Sequence, residues 1–275
     1  MCTRAVHPAR RPSGKRIGEA DETQSGIGRD RGSGAPRACS GHRWHRIGDI
    51  RGTAVAGRTT QGKTQQAYAP HINPSGFTTK IDNKYFPLKP GTTFVYQGNS
   101  GGNPERDVMT VTHSTKRIMG VKCMVVKDRV FAQGKLGEKT FDYYAQDKKG
   151  NIWYFGEDSK EYKNGKVSTG GSWEAGKAGA KAGIIMQAHP KVGQTYRQEY
   201  SKGAAEDMAK VLKLNGSDKV PYGSFDQVLV TKELTPLEPG VAEHKYYAAG
   251  VGDVKEVAVK GPSERIELVY LKHAG

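Results

Sequence analysis

The sequence is poor in cysteine and has no long apolar run. It contains three cysteines among 275 residues, and Cys123 is the single one in the part of the chain that shows strand patterns. One cysteine cannot form an internal disulfide, so export is allowed but gains no support from cysteine usage. No Cys/His spacing matches a zinc site, and no stretch has the length and apolarity of a transmembrane segment. We therefore predict neither a metal nor another cofactor.

Basic residues are plentiful, but their type changes along the chain. Residues 1–70 contain 11 Arg and 2 Lys against 5 acidic residues, whereas the remainder contains 5 Arg and 25 Lys against 23. The first part also lacks apolar periodicity, so it cannot bury enough surface to offset chain entropy. We predict a disordered segment over residues 1–70 and one folded domain over residues 71–275.

Two interpretations of residues 1–70 remain open. A basic arm would bind nucleic acid or anionic lipid, but the arginines are interleaved with acidic residues and lack aromatic stacking partners, which argues against nucleic acid. Alternatively, the segment is translated from a wrong start or a shifted frame, and the abrupt change in residue usage favours this. The beginning has no apolar signal core, although residues 66–69 have the small-x-small form of a signal-peptidase site. A misassigned start would hide a genuine export signal.

The stretch from Phe141 to Asp158 is the clearest structural element of the sequence. Phe141 and Tyr143 share one face of its first arm, and Trp153 and Phe155 share one face of the second. Aromatic residues at alternate positions are typical of β-strands. The residues between the arms, 147–150, read DKKG, in which Asp and Gly favour a turn. The pattern predicts a β-hairpin.

Short strand patterns continue to the end of the chain at regular spacing. Asn164-Gly165 predicts a second hairpin turn, and residues 121–131 are apolar on both faces, as in a central strand. Residues 204–214 fit both a helix and a strand; the flanking strands favour a strand. The expected fold is an all-β antiparallel meander that forms a barrel or half-barrel.

Three motifs give the chain a family resemblance. They are YFPLKPGTTFVY at residues 85–96, VPYGSFD at 220–226 and YYAAGVGDVK at 246–255. They resemble the "PL.PG..W.Y" opening, "VP.G.F" turn and "YY..GVG.V" hairpin of a group of bacterial exported proteins and lipoproteins, with Phe94 where Trp is common. The resemblance covers residues 80–272. It implies an antiparallel half-barrel and a secreted, periplasmic or cell-envelope location, and it supplies no catalytic residues.

Aromatic residues give the richest functional signal. Tyr and Trp combine an apolar body with a polar edge, and they line sites for sugars and amphiphiles. We therefore expect a concave face that binds an apolar or carbohydrate-like ligand (a small molecule, lipid or glycan), contacted by Trp153, Trp173, Tyr196 and Tyr246, with His244 and Glu199 orienting its polar groups. The competing interpretation is that these aromatics fill a barrel core. The lysine-rich surface suggests a cell-envelope polymer as a further partner.

The alternative function is a hydrolase or lyase. It would use His244 as a general base or acid with a carboxylate, Glu199 or Glu206, within about 3 Å or one water of it. The simpler interpretation is that His244 is an exposed strand residue. Two acidic pairs, residues 157–158 and 206–207, could bind calcium or serve acid/base chemistry. Neighbouring strand residues point to opposite faces, so neither pair converges by itself, and both are expected to be solvated edges.

Overall fold

The computed structural model describes residues 68–273 of the chain. Within them lie one 3₁₀ turn, Pro74–Gly76, and eighteen strands. The first nine are β1 (Phe77–Thr78), β2 (Ile81–Asn83), β3 (Phe86–Leu88), β4 (Thr93–Ser100), β5 (Asn103–Ile118), β6 (Val121–Ala132), β7 (Lys135–Asp147), β8 (Ile152–Lys163) and β9 (Lys166–Ser168). The others are β10 (Trp173–Glu174), β11 (Lys181–Met186), β12 (Thr195–Arg197), β13 (Glu199–Tyr200), β14 (Met208–Val220), β15 (Gly223–Leu234), β16 (Ala242–Ala248), β17 (Gly252–Lys260) and β18 (Glu264–Lys272).

Sixteen strands form one antiparallel sheet: β1 pairs with β7, β9 and β10 pair with β8, and the other thirteen follow one another in a continuous order. Their order is β12-β14-β15-β16-β17-β18-β4-β5-β6-β7-β8-β11-β13. The two end strands, β12 and β13, follow each other in the chain with only Gln198 between them, so the backbone itself joins the two edges. Gly183 of β11 makes the close approach possible, because a Cβ there would lie 2.3 Å from the Gln198 carbonyl carbon. The result is a nearly closed barrel, and the predicted all-β barrel class is confirmed.

The predicted hairpin turn is built around the Asp147 carboxylate. Its Oδ1 accepts hydrogen bonds from the backbone amides of Lys149 at 2.8 Å and Asn151 at 2.9 Å. Gly150 adopts a φ of 90°, which a glycine reaches without a steric penalty. The turn joins β7 to β8, whose paired residues include Ala145 and Trp153. The hairpin from Phe141 to Asp158 is therefore confirmed.

Other expectations from the sequence are also confirmed. Asn164 and Gly165 have φ values of 51° and 73°, as in the turn that joins two paired strands. The ambiguous segment of residues 204–214 enters β14, which pairs with β12 and β15. Cys123 and its neighbours in β6 are buried on both faces. The predicted disorder lies almost wholly outside the described residues, since it concerns residues 1–70.

A separate two-stranded sheet, β2–β3, covers one end of the barrel. Pro87 lies within this small sheet. Proline has no amide hydrogen to donate, so it would not fit a central strand of the main sheet. Phe86 packs edge-on against Tyr144 of the barrel with ring centroids 5.5 Å apart. The Gly250 amide donates to the Lys84 carbonyl at 2.7 Å, so the hairpin is fastened to the loop between β16 and β17. This cover forms one wall of the candidate site.

Candidate functional site

The barrel interior carries an unusual number of buried acidic residues. A carboxylate in an apolar interior is costly unless it is paired, hydrogen-bonded or protonated. Their surroundings therefore decide the chemistry of the interior. The ten buried carboxyl side chains of the described chain are Glu105, Asp107, Asp128, Glu138, Asp142, Glu157, Glu199, Asp207, Glu233 and Glu256.

Lys245 is a fully buried cation that lies among acidic residues of the barrel interior. Its Nζ lies 3.3 Å from Glu243, 3.4 Å from Glu256 and 3.7 Å from Glu233. Burial alone would lower the pKa of Lys245, but the three carboxylates raise it well above its ordinary value. The Tyr247 hydroxyl donates to Glu233 at 3.0 Å. The ammonium therefore stays charged and holds strands β15, β16 and β17 together on the inner face.

A small cavity lies between this cluster and the β2–β3 hairpin. Its volume is about 40 Å³, which is room for about three water molecules. The wall on the hairpin side is apolar and aromatic, and the floor carries five carboxyl groups and the Lys245 ammonium. The lining residues are Phe86, Pro87, Leu88, Phe94, Tyr96, Asp107, Met109, Asp128, Asp142, Tyr144, Lys245, Tyr247, Val251, Gly252, Asp253 and Glu256.

The polar floor is made of carboxyl groups that take part in hydrogen bonds and electrostatic interactions within the protein. Burial, and then the neighbouring Glu256, raise the pKa of Asp253 well above its ordinary value. The Tyr96 hydroxyl donates to the Asp253 carbonyl at 3.2 Å. Asp142 accepts a 2.7 Å hydrogen bond from the Tyr154 hydroxyl.

A second polar cluster lies at the seam where the barrel closes. Trp173 Nε1 donates to Glu199 Oε2 at 3.1 Å, and the carboxyl groups of Glu199 and Asp207 are hydrogen-bonded to each other. Burial is the main cause that raises the pKa of Asp207 to about 8 and the pKa of Glu199 well above its ordinary value. Two buried carboxyl groups in contact share a proton because both cannot be ionised cheaply.

The four aromatic residues expected to contact a ligand do not meet on one surface. Trp173 lies at the seam where the barrel closes. Tyr196 is buried on β12, where burial and then the charge of Glu233 raise its pKa. Trp153 instead donates to Asp147 in the hairpin turn at 2.9 Å. Tyr246 packs under the Lys255 ammonium at 3.9 Å, on the face opposite to that of Lys245. Of the residues expected from the sequence, the structure brings Trp173 and Glu199 together.

His244 lies apart from Glu199, one of the two carboxylates proposed as its partner. It lies on the outer face of β16, because the next residue, Lys245, points inward. Its cross-strand neighbours are Lys232 and Val257, and burial followed by Lys232 lowers its pKa. Glu199 is hydrogen-bonded to Trp173 and Asp207 in the seam cluster, inside the barrel. The histidine and this carboxylate are on opposite faces, so the geometry gives no support to a catalytic pair.

Glu206 and the two acidic pairs show how strand neighbours separate. Glu206 Oε1 accepts a hydrogen bond from the Gly203 amide at 2.8 Å, whereas the next residue, Asp207, is buried. Glu157 is buried and Asp158 is exposed. The expectation of solvated edges is wrong for Glu157 and Asp207, because alternation places one member of each pair inside the barrel.

Sequence reasoning did not identify the residues of the cavity floor. Asp107, Asp128 and Asp142 lie on the neighbouring strands β5, β6 and β7, and the first two have basic neighbours on the outer face. The signal that could have found Asp107 is a pair of acidic residues two positions apart within a strand pattern, Glu105 and Asp107. Lys245 gives a similar signal, because it is a charged residue at a strand position between His244 and Tyr246, which lie on the outer face.

Three carboxylates near Lys245 have the spacing of metal ligands. Oxygen atoms of Glu243, Glu256 and Glu264 lie within 4.8 Å of one another. The Lys245 Nζ already forms ion pairs with the first two, and the Ser100 hydroxyl donates to Glu264 at 2.9 Å. The charge of this group is therefore partly neutralised from within the protein.

The comparisons with known proteins give similarity of fold. No protein-family model matches the chain, and no curated protein matches it. A predicted exported protein with a YmcC-like fold from Bacteroides fragilis has 15% identity and a TM-score of 0.42, with 69% of this chain and 99% of that chain covered. A predicted lipoprotein from Parabacteroides distasonis has 15% identity and a TM-score of 0.40 over the same shares. Among residues 68–273 no helix is long and apolar enough to cross a membrane.

Proposed function

We propose that this barrel is a binding module for a small carbohydrate-like or amine-bearing ligand that enters the cavity beneath the β2–β3 hairpin. The observation that carries the proposal is the composition of the cavity wall. One side offers apolar and aromatic surface from Phe86, Leu88 and Val251, and the other offers five carboxyl groups. An apolar ring face would pack on the first side, and hydroxyl or amine donors would bind the second.

The dimensions of the cavity restrict how such a ligand binds. A volume of about 40 Å³ is well below the several hundred Å³ of a site that encloses a whole small molecule. The ligand therefore either inserts one donor-bearing group or displaces the side chains of Phe86 and Leu88 at the mouth. Export to the periplasm, the envelope or the medium is part of the proposal and follows from the three sequence motifs.

The test is a ligand screen with the full chain, read by thermal shift. One panel contains neutral monosaccharides and polyols, and the other contains primary amines of similar size. We expect one panel to raise the melting temperature in a dose-dependent manner, with at least tenfold weaker binding in Asp128→Asn, which lines the cavity. The matched control is Asp158→Asn, an exposed residue outside the cavity, which should bind as the parent does.

Each outcome of the screen has a defined meaning. A response to amines alone assigns the carboxylates the role of counter-ions, and a response to sugars alone assigns them the role of hydrogen-bond acceptors. No response to either panel, or equal binding by Asp128→Asn and the parent, would contradict the proposed site.

A further inference from the structure

A row of four basic residues crosses the outer face of strands β5–β8. Arg129 on β6 is the cross-strand partner of Lys139 on β7, which is in turn the partner of Lys160 on β8. Arg106 on β5 pairs with Phe131, two residues from Arg129 on the same face. Strands are about 4.8 Å apart, so this outer basic row (Arg106, Arg129, Lys139, Lys160) extends over about 15 Å.

The stability of the sheet does not explain this arrangement. Like charges directly opposite each other destabilise an antiparallel pair, and Lys127 beside the row adds a fifth positive charge. Within residues 68–273 none of these five cations forms a salt bridge to a carboxylate. One acidic residue, Asp158, also lies on this face as the cross-strand partner of Phe141. The row is therefore a strip of net positive charge held at a regular spacing.

Two phenylalanines lie within this strip, and basic side chains cover them. The guanidinium carbons of Arg106 and Arg129 are each 6.0 Å from the centre of the Phe131 ring, and the Lys139 ammonium is 4.9 Å from the centre of Phe141. Both rings are half-buried. They support the cations by cation–π contact and leave no open aromatic platform on which nucleic acid bases would stack.

We infer that the outer basic row binds a linear anionic polysaccharide that lies across strands β5–β8. Its charge is complementary to the strip, and a flexible chain follows the convex outside of a barrel across four strands. A flat anionic bilayer would touch only the most protruding part of that curve. The inference is independent of the cavity, which faces the opposite side of the same strands.

The experiment uses the full chain and polygalacturonate, a linear carboxylated polysaccharide, as the probe. The row variant is Arg129→Gln with Lys139→Gln. The control is Lys210→Gln with Lys232→Gln, which removes two equally charged residues that are cross-strand partners on β14 and β15. Both variants keep residues 1–67 and therefore the same N-terminal positive charge. Affinity is measured by fluorescence anisotropy at several salt concentrations, and far-UV circular dichroism confirms folding.

We expect the row variant to bind polygalacturonate at least tenfold more weakly than the control, with a shallower dependence of log affinity on log salt. Equal affinity in the two variants would overturn the inference, because binding would then follow total charge or the N-terminal segment. A selective loss of binding to oligothymidylate or to phosphatidylserine vesicles, with binding to polygalacturonate unchanged, would also overturn it.

Discussion

The inner and outer faces of strands β5–β8 carry opposite charges, although adjacent residues build them. Asp107 is buried at the cavity while Arg106 is exposed on the outer face, and Asp128 is buried between the outer residues Lys127 and Arg129. Alternation along a strand usually separates apolar from polar residues. Here it separates acid from base, so the same backbone presents an acidic cavity and a basic outer wall.

The two faces differ in how their charge is neutralised. Outside, salt screens exposed charges beyond a Debye length of about 10 Å at 0.1 M. Inside, the Lys245 ammonium, hydrogen bonds and bound protons contribute to neutralisation. Substitutions that alter charge should therefore have large effects on the inner face and small effects on the outer face.

The largest effect is expected from Lys245→Met. The variant leaves Glu233, Glu243 and Glu256 without their buried cation, and breaking a buried ion pair costs about 3–5 kcal/mol. Urea unfolding followed by tryptophan fluorescence should show a loss of this size, or a chain that no longer folds at neutral pH.

The control for this substitution is Lys232→Met, which removes an outer lysine from the neighbouring strand. Its cross-strand partners are Lys210 and His244, so no attraction is lost and the change should stay within about 0.5 kcal/mol. Similar losses in the two variants would show that Lys245 acts by filling space and not by its charge.

The elements that the sequence predicts well depend on local chemistry. The Phe141–Asp158 hairpin needs only alternating aromatics and a turn-forming Asp and Gly, and the Asn164-Gly165 turn needs only its two residues. The strand at 208–220 was harder to predict, because its helix formers compete with alternation and only pairing with β12 and β15 decides between them.

The candidate site depends on which strands become neighbours. Sequence reasoning selected aromatic residues because their chemistry suits a ligand, but Trp153 and Tyr246 serve local contacts on other faces. The link between Trp173 and Glu199 requires the barrel to close at Gln198, across 26 residues. No local pattern fixes that closure, whereas the alternation of acidic and basic residues within β5 and β6 is visible in the sequence itself.

A pH effect of intermediate size is expected at the seam. Asp207 has its pKa raised from 3.8 to about 8, so between these values the folded protein holds a proton that the unfolded chain has lost. Stability must then fall as pH rises through this window. We expect Asp207→Asn to reduce the loss of stability between pH 5 and pH 8 by at least about 1.4 kcal/mol, the equivalent of one pKa unit.

The measurement for this prediction is urea unfolding at a series of pH values. Glu206→Gln is the matched control, since it removes the neighbouring carboxylate but keeps an acceptor for the Gly203 amide. A parent protein whose stability is flat or rises between pH 5 and pH 8, or an Asp207→Asn variant that keeps the full decline, would contradict the proton-sharing pair.

The smallest effect is expected on the outer face, and it has the opposite sign. Lys139→Glu places an acidic residue between Arg129 and Lys160, its two cross-strand partners, and so replaces two repulsions by two attractions. Exposed cross-strand pairs contribute about 0.2–1 kcal/mol each, and loss of the contact with Phe141 offsets part of this. We expect a gain of about 0.5 kcal/mol in urea unfolding at low salt that shrinks in 1 M NaCl. Lys139→Gln, which removes the repulsion without adding attraction, should gain less. If both variants lost stability at every salt concentration, packing on Phe141 and not charge would govern this position, and the contrast between the two faces would not hold there.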